Sequence, residues 1–129
     1  MPLKREIIST QHAPAAVGPY SQAVRIGDLI YTAGQIPLAP ETGRLVEGGI
    51  EAQTVQVMEN LQIVLEAAWS TLSNVVKATI FVTNLKDFAI VNAVYGGFFE
   101  KNPPARSTVQ VAALPLGANI EIEVVAAVV

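Results

Sequence analysis

The chain has 129 residues, enough for one folded domain, and its net charge of −3 comes from 8 basic and 11 acidic side chains without a basic stripe. This balance argues against a nucleic-acid binder, and the absence of cysteine excludes disulfides and thiol chemistry. Charged residues make up only 15% of the chain, against roughly 25% in a typical soluble domain, so part of the surface is expected to be covered by another subunit.

Nothing in the sequence indicates a membrane or an export route. No apolar run reaches the roughly 18 residues that a helix needs to cross a bilayer. The chain starts Met-Pro-Leu-Lys-Arg-Glu, which lacks the apolar centre of a signal peptide. We therefore expect a cytoplasmic protein that does not contact a membrane.

The first half of the chain predicts three short strands and one helix. The strands cover residues 4–9, 21–26 and 29–33. Gly27 and Asp28 predict a tight turn between the second and third strands. Residues 50–72 follow a period of 3.6, which predicts an amphipathic helix. Its apolar stripe consists of Val57, Leu61, Val64, Leu65 and Ala68.

The second half predicts a strand, a helix and two further strands. Residues 75–83 alternate, and one face is purely apolar. That face carries Val76, Ala78, Ile80 and Val82. A helix over residues 86–100 follows, with Asn84 as its predicted cap. The next strand begins near Arg106, and the last covers residues 119–128.

The resulting order, βββαβαββ, predicts an α+β fold with a mixed sheet and two helices on one face. The last strand is apolar on both sides at its end, where Val125 and Ala127 share a face with Glu121 and Glu123. A strand that is apolar on both sides is usually buried on both sides. Because both helices already cover the other face, we expect a second subunit here. A carboxylate on such a face is costly unless it is paired, hydrated or functional, although a solvated strand edge would also explain this pair of glutamates.

An arginine held at the mouth of a strand is the clearest candidate for a binding residue. Pro103 and Pro104 form a rigid elbow before Arg106. Alternation places Arg106 and Thr108 on one face and Val109 on the other. The planar guanidinium matches both oxygens of a carboxylate, so this position predicts a carboxylate site. A surface arginine at a strand start is the simpler alternative.

The distance between Arg106 and Glu121 limits how a site could use both residues. In a simple hairpin of the last two strands, Glu121 would oppose Val111, five residues from Arg106. At about 3.4 Å per residue that separation is roughly 17 Å. Either another strand lies between the two, or Arg106 and Glu121 meet across a subunit boundary.

Several common catalytic patterns are missing. His12, in the N-terminal loop, is the only histidine, and no nucleophile-elbow pattern accompanies it. A zinc site of Cys and His would have too few ligands. No phosphate-binding loop and no dinucleotide fingerprint is present. The sequence therefore predicts neither a metal nor an organic cofactor.

Four segments together resemble the RidA (YjgF) family of reactive-intermediate deaminases. They are residues 13–23 (APAAVGPYSQA), 32–37 (TAGQIP), 104–107 (PARS) and 120–123 (IEIE). The match spans nearly the whole chain in order, as a single RidA-like domain over residues 1–129. It implies a chorismate-mutase-like fold and a homotrimer with ligand clefts between subunits. It also implies metabolite damage control, in which enamines and imines such as 2-aminoacrylate and 2-iminopropanoate are hydrolysed to 2-keto acids and ammonia without a cofactor.

The resemblance also implies roles for individual residues. Arg106 would bind the substrate carboxylate, and Glu121 would position or activate water. Three further positions would line the cleft, namely Tyr20, Asn92 and the backbone at Gly34. Thr108 stands where many members carry cysteine, so the chemistry here needs no thiol or the activity differs. Its hydroxyl can still form a hydrogen bond with a ligand or water.

Two other functions stay open at this point. A ribonuclease or translation inhibitor is an activity ascribed to some relatives, although the acidic net charge and the single histidine count against it. A non-enzymatic ligand binder or a chaperone-like trimer could use the same cleft. If these residues have no functional role, Tyr20 would be a packing residue with its hydroxyl at the surface, and Asn92 would be an ordinary exposed polar residue.

Overall fold

The computed structural model describes residues 3–129 and confirms the order βββαβαββ. The strands are β1 Arg5–Ile8, β2 Ala23–Ile26, β3 Leu29–Thr32, β4 Val75–Val82, β5 Ala105–Gln110 and β6 Ile120–Ala127. The helices are α1 Ile50–Ala67 and α2 Phe88–Gly97. Short 3₁₀ turns cover Leu72–Asn74, Leu85–Asp87 and Pro115–Gly117. The α+β class predicted from the pattern is therefore correct.

The six strands form one mixed sheet in the order β1-β2-β3-β6-β4-β5. Every neighbouring pair is antiparallel except β4 and β5, which run parallel with α2 as their crossover. Strand β4 thus lies between β5 and β6. Phe81 on β4 is paired with Val109 on one side and Glu121 on the other. This arrangement excludes the simple hairpin of the last two strands.

Both helices pack on one face of the sheet, as predicted. The α1 stripe is fully buried there, with Val57, Leu61 and Val64 at 0% exposure. Ile80 and Ile122, which are paired across β4 and β6, lie beneath it. Burial of such aliphatic side chains contributes roughly 1.5–3 kcal/mol each, so this layer is the main source of stability.

The opposite face of the sheet, called the open face here, is uncovered in a single chain. It carries the central row Val109, Phe81 and Glu121. Tyr31 and Val109 are each more than two-fifths exposed, at 47% and 42%. Val125 lies beside Tyr31. As predicted from the sequence, it is on the same face as Glu121 and Glu123. An exposed sheet face that carries several large apolar side chains is typical of an interaction surface.

Two local details differ from the sequence prediction. A register shift between Val75 and Lys77 turns Val76 outward, so Val75 and not Val76 faces the core. Helix α1 ends at Ala67, short of the predicted residue 72, because Trp69 takes a left-handed φ of 64°. The Trp69 and Ser70 N–H groups then donate to the last helical carbonyls, which closes the helix end.

Helix α2 begins later than predicted. The 3₁₀ turn Leu85–Asp87 precedes it, and the Asn84 side chain accepts a hydrogen bond from the Lys86 N–H at 2.9 Å. Asn84 therefore caps this 3₁₀ turn and not helix α2 itself. The Gln110 side chain accepts from the Leu85 N–H at 2.8 Å, which ties the start of α2 to the end of β5. This link fixes α2 over the strand that carries Arg106.

Candidate functional site

Arg106 lies on the helix-side face of β5, near the start of the strand. It is paired with Ala78 of β4, while Thr108 is paired with the buried Ile80. The alternation predicted from sequence is correct, because Val109 points to the open face with Phe81. The guanidinium therefore projects toward α2.

Two aromatic rings of α2 surround the Arg106 guanidinium. Its Cζ atom lies 5.0 Å from the centroid of the Tyr95 ring and 5.5 Å from that of the Phe88 ring. Both distances are within the range of cation–π attraction. Burial raises the pKa of Tyr95, and the Arg106 charge partly opposes that shift. Tyr95 was missed in the sequence analysis, although its position three residues after Asn92 places it on the same helical face.

Three buried oxygen atoms around Arg106 have no hydrogen-bond partner within residues 3–129. They are Asn92 Oδ1, Tyr95 Oη and Thr108 Oγ1. A buried polar atom that makes no hydrogen bond costs roughly 1–3 kcal/mol, and such groups are rare in native proteins. All three lie between α2 and β5, so their polar atoms are on the same side of the sheet as the Arg106 guanidinium. Asn92 and Thr108 are thus brought to the same half of the site as Arg106.

Glu121 lies on the open face and lines a cavity of about 220 Å³. The other lining residues are Val17, Tyr20, Ala33, Gly34, Ile36 and Pro115. Burial raises the pKa of the Glu121 carboxyl, and the nearby Glu123 carboxylate raises it further. A carboxyl with a raised pKa in a small, partly apolar cavity is suited to accept and return a proton.

Tyr20 borders this cavity from the N-terminal loop. Its hydroxyl accepts a hydrogen bond from the Val17 N–H at 3.1 Å, and its own N–H donates to the Gly18 carbonyl at 2.8 Å. Gln22 holds the same loop, because its side chain donates to the Pro14 carbonyl at 2.8 Å. Tyr20 is 47% exposed, so it is not a core packing residue.

Gly34 supports the Glu121 side chain directly. The backbone next to it is fixed by Gln35, which exchanges hydrogen bonds of 2.8 and 3.1 Å with Ile122. A Cβ atom at Gly34 would lie 2.6 Å from Glu121 Cδ, well inside contact distance. Only glycine leaves room for the carboxyl in this position.

This close approach predicts that Gly34→Ala displaces Glu121 without unfolding the protein, because the carboxyl end of that side chain can rotate away. Misplacing a catalytic group by about 1 Å can cost roughly 10²-fold in rate. We expect such a loss in kcat/KM, with little change in thermal unfolding. Gly49→Ala is the matched control, since no atom lies within 4 Å of its added Cβ. Full activity in the Gly34 variant would contradict this assignment.

The two halves of the predicted site do not meet within one chain. Arg106, Asn92 and Thr108 lie on the helix side, whereas Glu121, Tyr20 and Gly34 border the open face. Strand β4 also separates β5 from β6. A strand does lie between β5 and β6, which was one of the two alternatives raised from the sequence. Because the two side chains are also on opposite faces, a site that contains both Arg106 and Glu121 would need a second chain, which was the other alternative.

Four larger cavities of the described chain contain none of the predicted site residues. One of them, of about 600 Å³, lies near Ser73, Phe99 and Asn102. Within residues 3–129, no group of three or more His, Asp or Glu side chains could hold a metal ion. None of the helices in this described part is long and apolar enough to cross a membrane.

Comparison with known proteins connects these features to a family. Residues 10–128 match the family described as endoribonuclease L-PSP. The chloroplastic reactive intermediate deaminase A of Arabidopsis thaliana is 49% identical over 124 residues, which cover 96% of this chain and 66% of that protein. The 2-iminobutanoate/2-iminopropanoate deaminase of Mus musculus is 47% identical over 122 residues, which cover 95% of this chain and 90% of that protein.

A solved structure of similar sequence also has a similar fold. The crystal structure of E. coli TdcF with bound serine has a TM-score of 0.90 and 42% identity, and the match covers 95% of this chain and 98% of that one. This likeness confirms the expected chorismate-mutase-like fold. Because the family match spans almost all of the sequence, the chain belongs to the endoribonuclease L-PSP family, the RidA (YjgF) family that its motifs resemble.

Proposed function

We propose that this protein hydrolyses reactive 2-imino acids and their enamine tautomers to 2-keto acids and ammonia. The observation that carries the proposal is that the chain presents two chemically complementary groups, one on each face of the sheet. The Arg106 guanidinium is held by rings and so remains able to bind a carboxylate, and Glu121 is a desolvated carboxyl in a small cavity. The name of the mouse relative and the serine bound to E. coli TdcF support a small substrate that carries a carboxylate.

The proposed site is a cleft between subunits of a homotrimer. Arg106, Asn92 and Thr108 of one subunit would face Glu121, Tyr20 and Gly34 of the next. Two observations support this arrangement. The two halves lie on opposite faces of one sheet, and the open face that borders the Glu121 cavity is partly apolar and uncovered. No metal or organic cofactor enters the proposal.

The chemistry follows from the two groups. Arg106 fixes the substrate carboxylate, which places the adjacent C=N carbon at the Glu121 cavity. The Glu121 carboxylate accepts a proton from water as the water oxygen bonds to that carbon. The C=N π bond becomes a lone pair on nitrogen, which takes the proton back from Glu121, so the adduct carries a hydroxyl and an amino group on the same carbon. Glu121 then transfers the hydroxyl proton to the nitrogen as the C–N bond breaks and the C=O bond forms, and ammonia leaves. An enamine substrate must first be protonated at its β-carbon to give the imine.

A direct assay tests this proposal. Freshly generated 2-aminoacrylate would be mixed with the protein, and pyruvate and ammonia release would be compared with the spontaneous rate. We expect a clear acceleration that Glu121→Gln removes. Release at the spontaneous rate by a folded, assembled protein would contradict the proposal.

Ribonuclease activity is the second candidate, because the matched family is described as an endoribonuclease. An RNA-cleavage assay at physiological salt belongs beside the imine assay. Net charge and the single exposed histidine, His12, do not favour RNA binding. RNA cleavage without imine hydrolysis would replace the present proposal. The absence of both activities would favour a non-enzymatic binder.

The cytoplasmic location stays a prediction, and the Arabidopsis relative is named chloroplastic.

The trimer makes a separate prediction at the open face. Ala127→Asp would place an unpaired charge in the proposed interface, and an unpaired buried charge costs roughly 3–5 kcal/mol. Ala127 is a better position than Val125, because Lys77 is paired with Val125 and could neutralise an aspartate there. We expect light scattering to show a trimer for the wild type and dissociation for the variant. Ala93→Asp, on an exposed position of α2, is the control. A monomeric wild type would overturn the trimer.

A further inference from the structure

The rings of Phe88 and Tyr95 hold the Arg106 side chain from one face of α2. Positions 88 and 95 are seven residues apart, about two helical turns, so both rings point to the same side. Tyr95 is only 4% exposed, whereas Phe88 is 41% exposed. The guanidinium therefore has one ring on its buried side and one toward the surface.

These contacts leave the chemistry of the guanidinium intact. A ring attracts the cation through its π electrons and takes up no N–H donor of the arginine. A carboxylate in the same place would neutralise Arg106 and compete with an acidic ligand. Rings therefore suit an arginine whose N–H groups must remain available. They also restrict a long side chain that would otherwise lose rotamer freedom when a ligand binds.

The Tyr95 ring also packs against a third aromatic ring. Its ring lies 4.8 Å from the ring of Phe99, at an interplanar angle of 45°. Its hydroxyl is buried and has no hydrogen-bond partner in the described chain. The position of Tyr95 therefore depends on ring packing and not on its hydroxyl.

We infer that Phe88 and Tyr95 are positioning residues that preorganise Arg106 for two-point contact with the substrate carboxylate. This inference rests on the proposed function, because Arg106 is taken there as the carboxylate anchor. It predicts that the aromatic ring matters at position 95 and that the hydroxyl does not.

The test measures binding and turnover separately. Pyruvate is the binding probe, titrated by calorimetry into the assembled wild-type protein and each variant. Tyr95→Leu and Phe88→Leu should each weaken pyruvate binding by about 3- to 30-fold, the range that a cation–π contact supplies. KM for the imine should rise similarly, while kcat stays within about twofold. Phe88→Leu keeps the test valid if Tyr95→Leu fails to fold, because Phe88 is partly exposed.

Two further variants separate positioning from general packing. Tyr95→Phe keeps the ring and should retain wild-type pyruvate affinity. Phe99→Leu removes the ring packed against Tyr95 but leaves both rings at Arg106, so it should lower thermal stability and weaken pyruvate binding less than Tyr95→Leu does. A loss in Tyr95→Phe as large as in Tyr95→Leu would overturn the inference, as would unchanged affinity in a folded Phe88→Leu protein.

The result also distinguishes this inference from the proposed function. If Arg106→Ala binds pyruvate as well as the wild type, the carboxylate anchor itself is wrong. If Arg106→Ala loses binding and neither leucine variant does, only the role of the rings is wrong.

Discussion

Arg106→Ala should lower kcat/KM for imine hydrolysis by roughly 10²- to 10⁴-fold. Removing one partner of a buried, hydrogen-bonded charge pair costs roughly 2–5 kcal/mol, and each 1.36 kcal/mol is a factor of ten. The change should not unfold the protein, because Arg106 lies near the start of the edge strand β5 and is not part of the hydrophobic core. Pyruvate binding measured by calorimetry should disappear in the same variant.

Arg106→Lys sharpens this prediction. Lysine keeps the positive charge but presents a point charge in place of a planar fork, so activity should stay badly impaired. Arg44→Ala is the matched control, since Arg44 is an exposed loop arginine outside both halves of the site. Lysine rescue to near wild-type kcat/KM would show that charge alone suffices. Full activity in Arg106→Ala would remove the main residue-level support for the deaminase proposal.

The order of the elements could be predicted because it depends on local periodicity. Alternation marks a strand with one buried face, and a 3.6-residue stripe marks a helix against that face. Val57 on α1 and Ile80 on β4 are fully buried, as those patterns indicate. The predicted facing of Val76 and the predicted end of α1 were wrong, because a single residue departs from the periodic pattern at each place. Val76 is turned outward by a bulge, and Trp69 ends α1 in a left-handed conformation where glycine is usual.

The site was predictable only in part, for a different physical reason. Alternation within β5 correctly predicted that Arg106 and Val109 lie on opposite faces, but not which of those faces the helices cover. The relation of Arg106 to Glu121 depends on which strands pair, and that is a long-range property. Sequence alone could not show that β4 lies between β5 and β6. It also could not show that the Arg106 and Glu121 side chains project from opposite faces of the sheet. Tyr95 was missed because an aromatic residue on a helix is usually part of the core.

Glu121→Gln should also lower kcat/KM by roughly 10²- to 10⁴-fold, the usual contribution of a positioned acid–base group. Glutamine keeps the shape and a hydrogen-bonding oxygen but cannot accept the proton of water. Because Glu121 borders a cavity and not the aliphatic core, the variant should fold and assemble. Near wild-type kcat/KM in Glu121→Gln would show that the carboxylate is not the proton acceptor.

The raised pKa of Glu121 gives this prediction a second, independent measurement. Within one chain, the folded state holds the Glu121 proton to a higher pH than the unfolded state does. Stability attributable to this group is therefore complete at low pH and is lost as pH rises through its raised pKa. In the Ala127→Asp background, where the chains are expected to be separate, Glu121→Gln should thus raise the denaturant concentration needed for unfolding near neutral pH. The difference should vanish in acid, below the ordinary range of a carboxyl.

A substitution at Glu123 should change the pKa of the Glu121 carboxyl. Burial is the main cause of the raised Glu121 pKa, and the Glu123 charge adds to it. The acid side of the kcat/KM profile should report this pKa, because the proposed base must be ionised. Glu123→Gln removes a like charge and should move that limb to lower pH, with the maximal rate nearly unchanged. The direction holds even if a neighbouring guanidinium lowers the absolute pKa, since removing a negative neighbour always favours ionisation. An acid limb that stays in place in Glu123→Gln, or persists in the residual activity of Glu121→Gln, would mean that another group controls the profile.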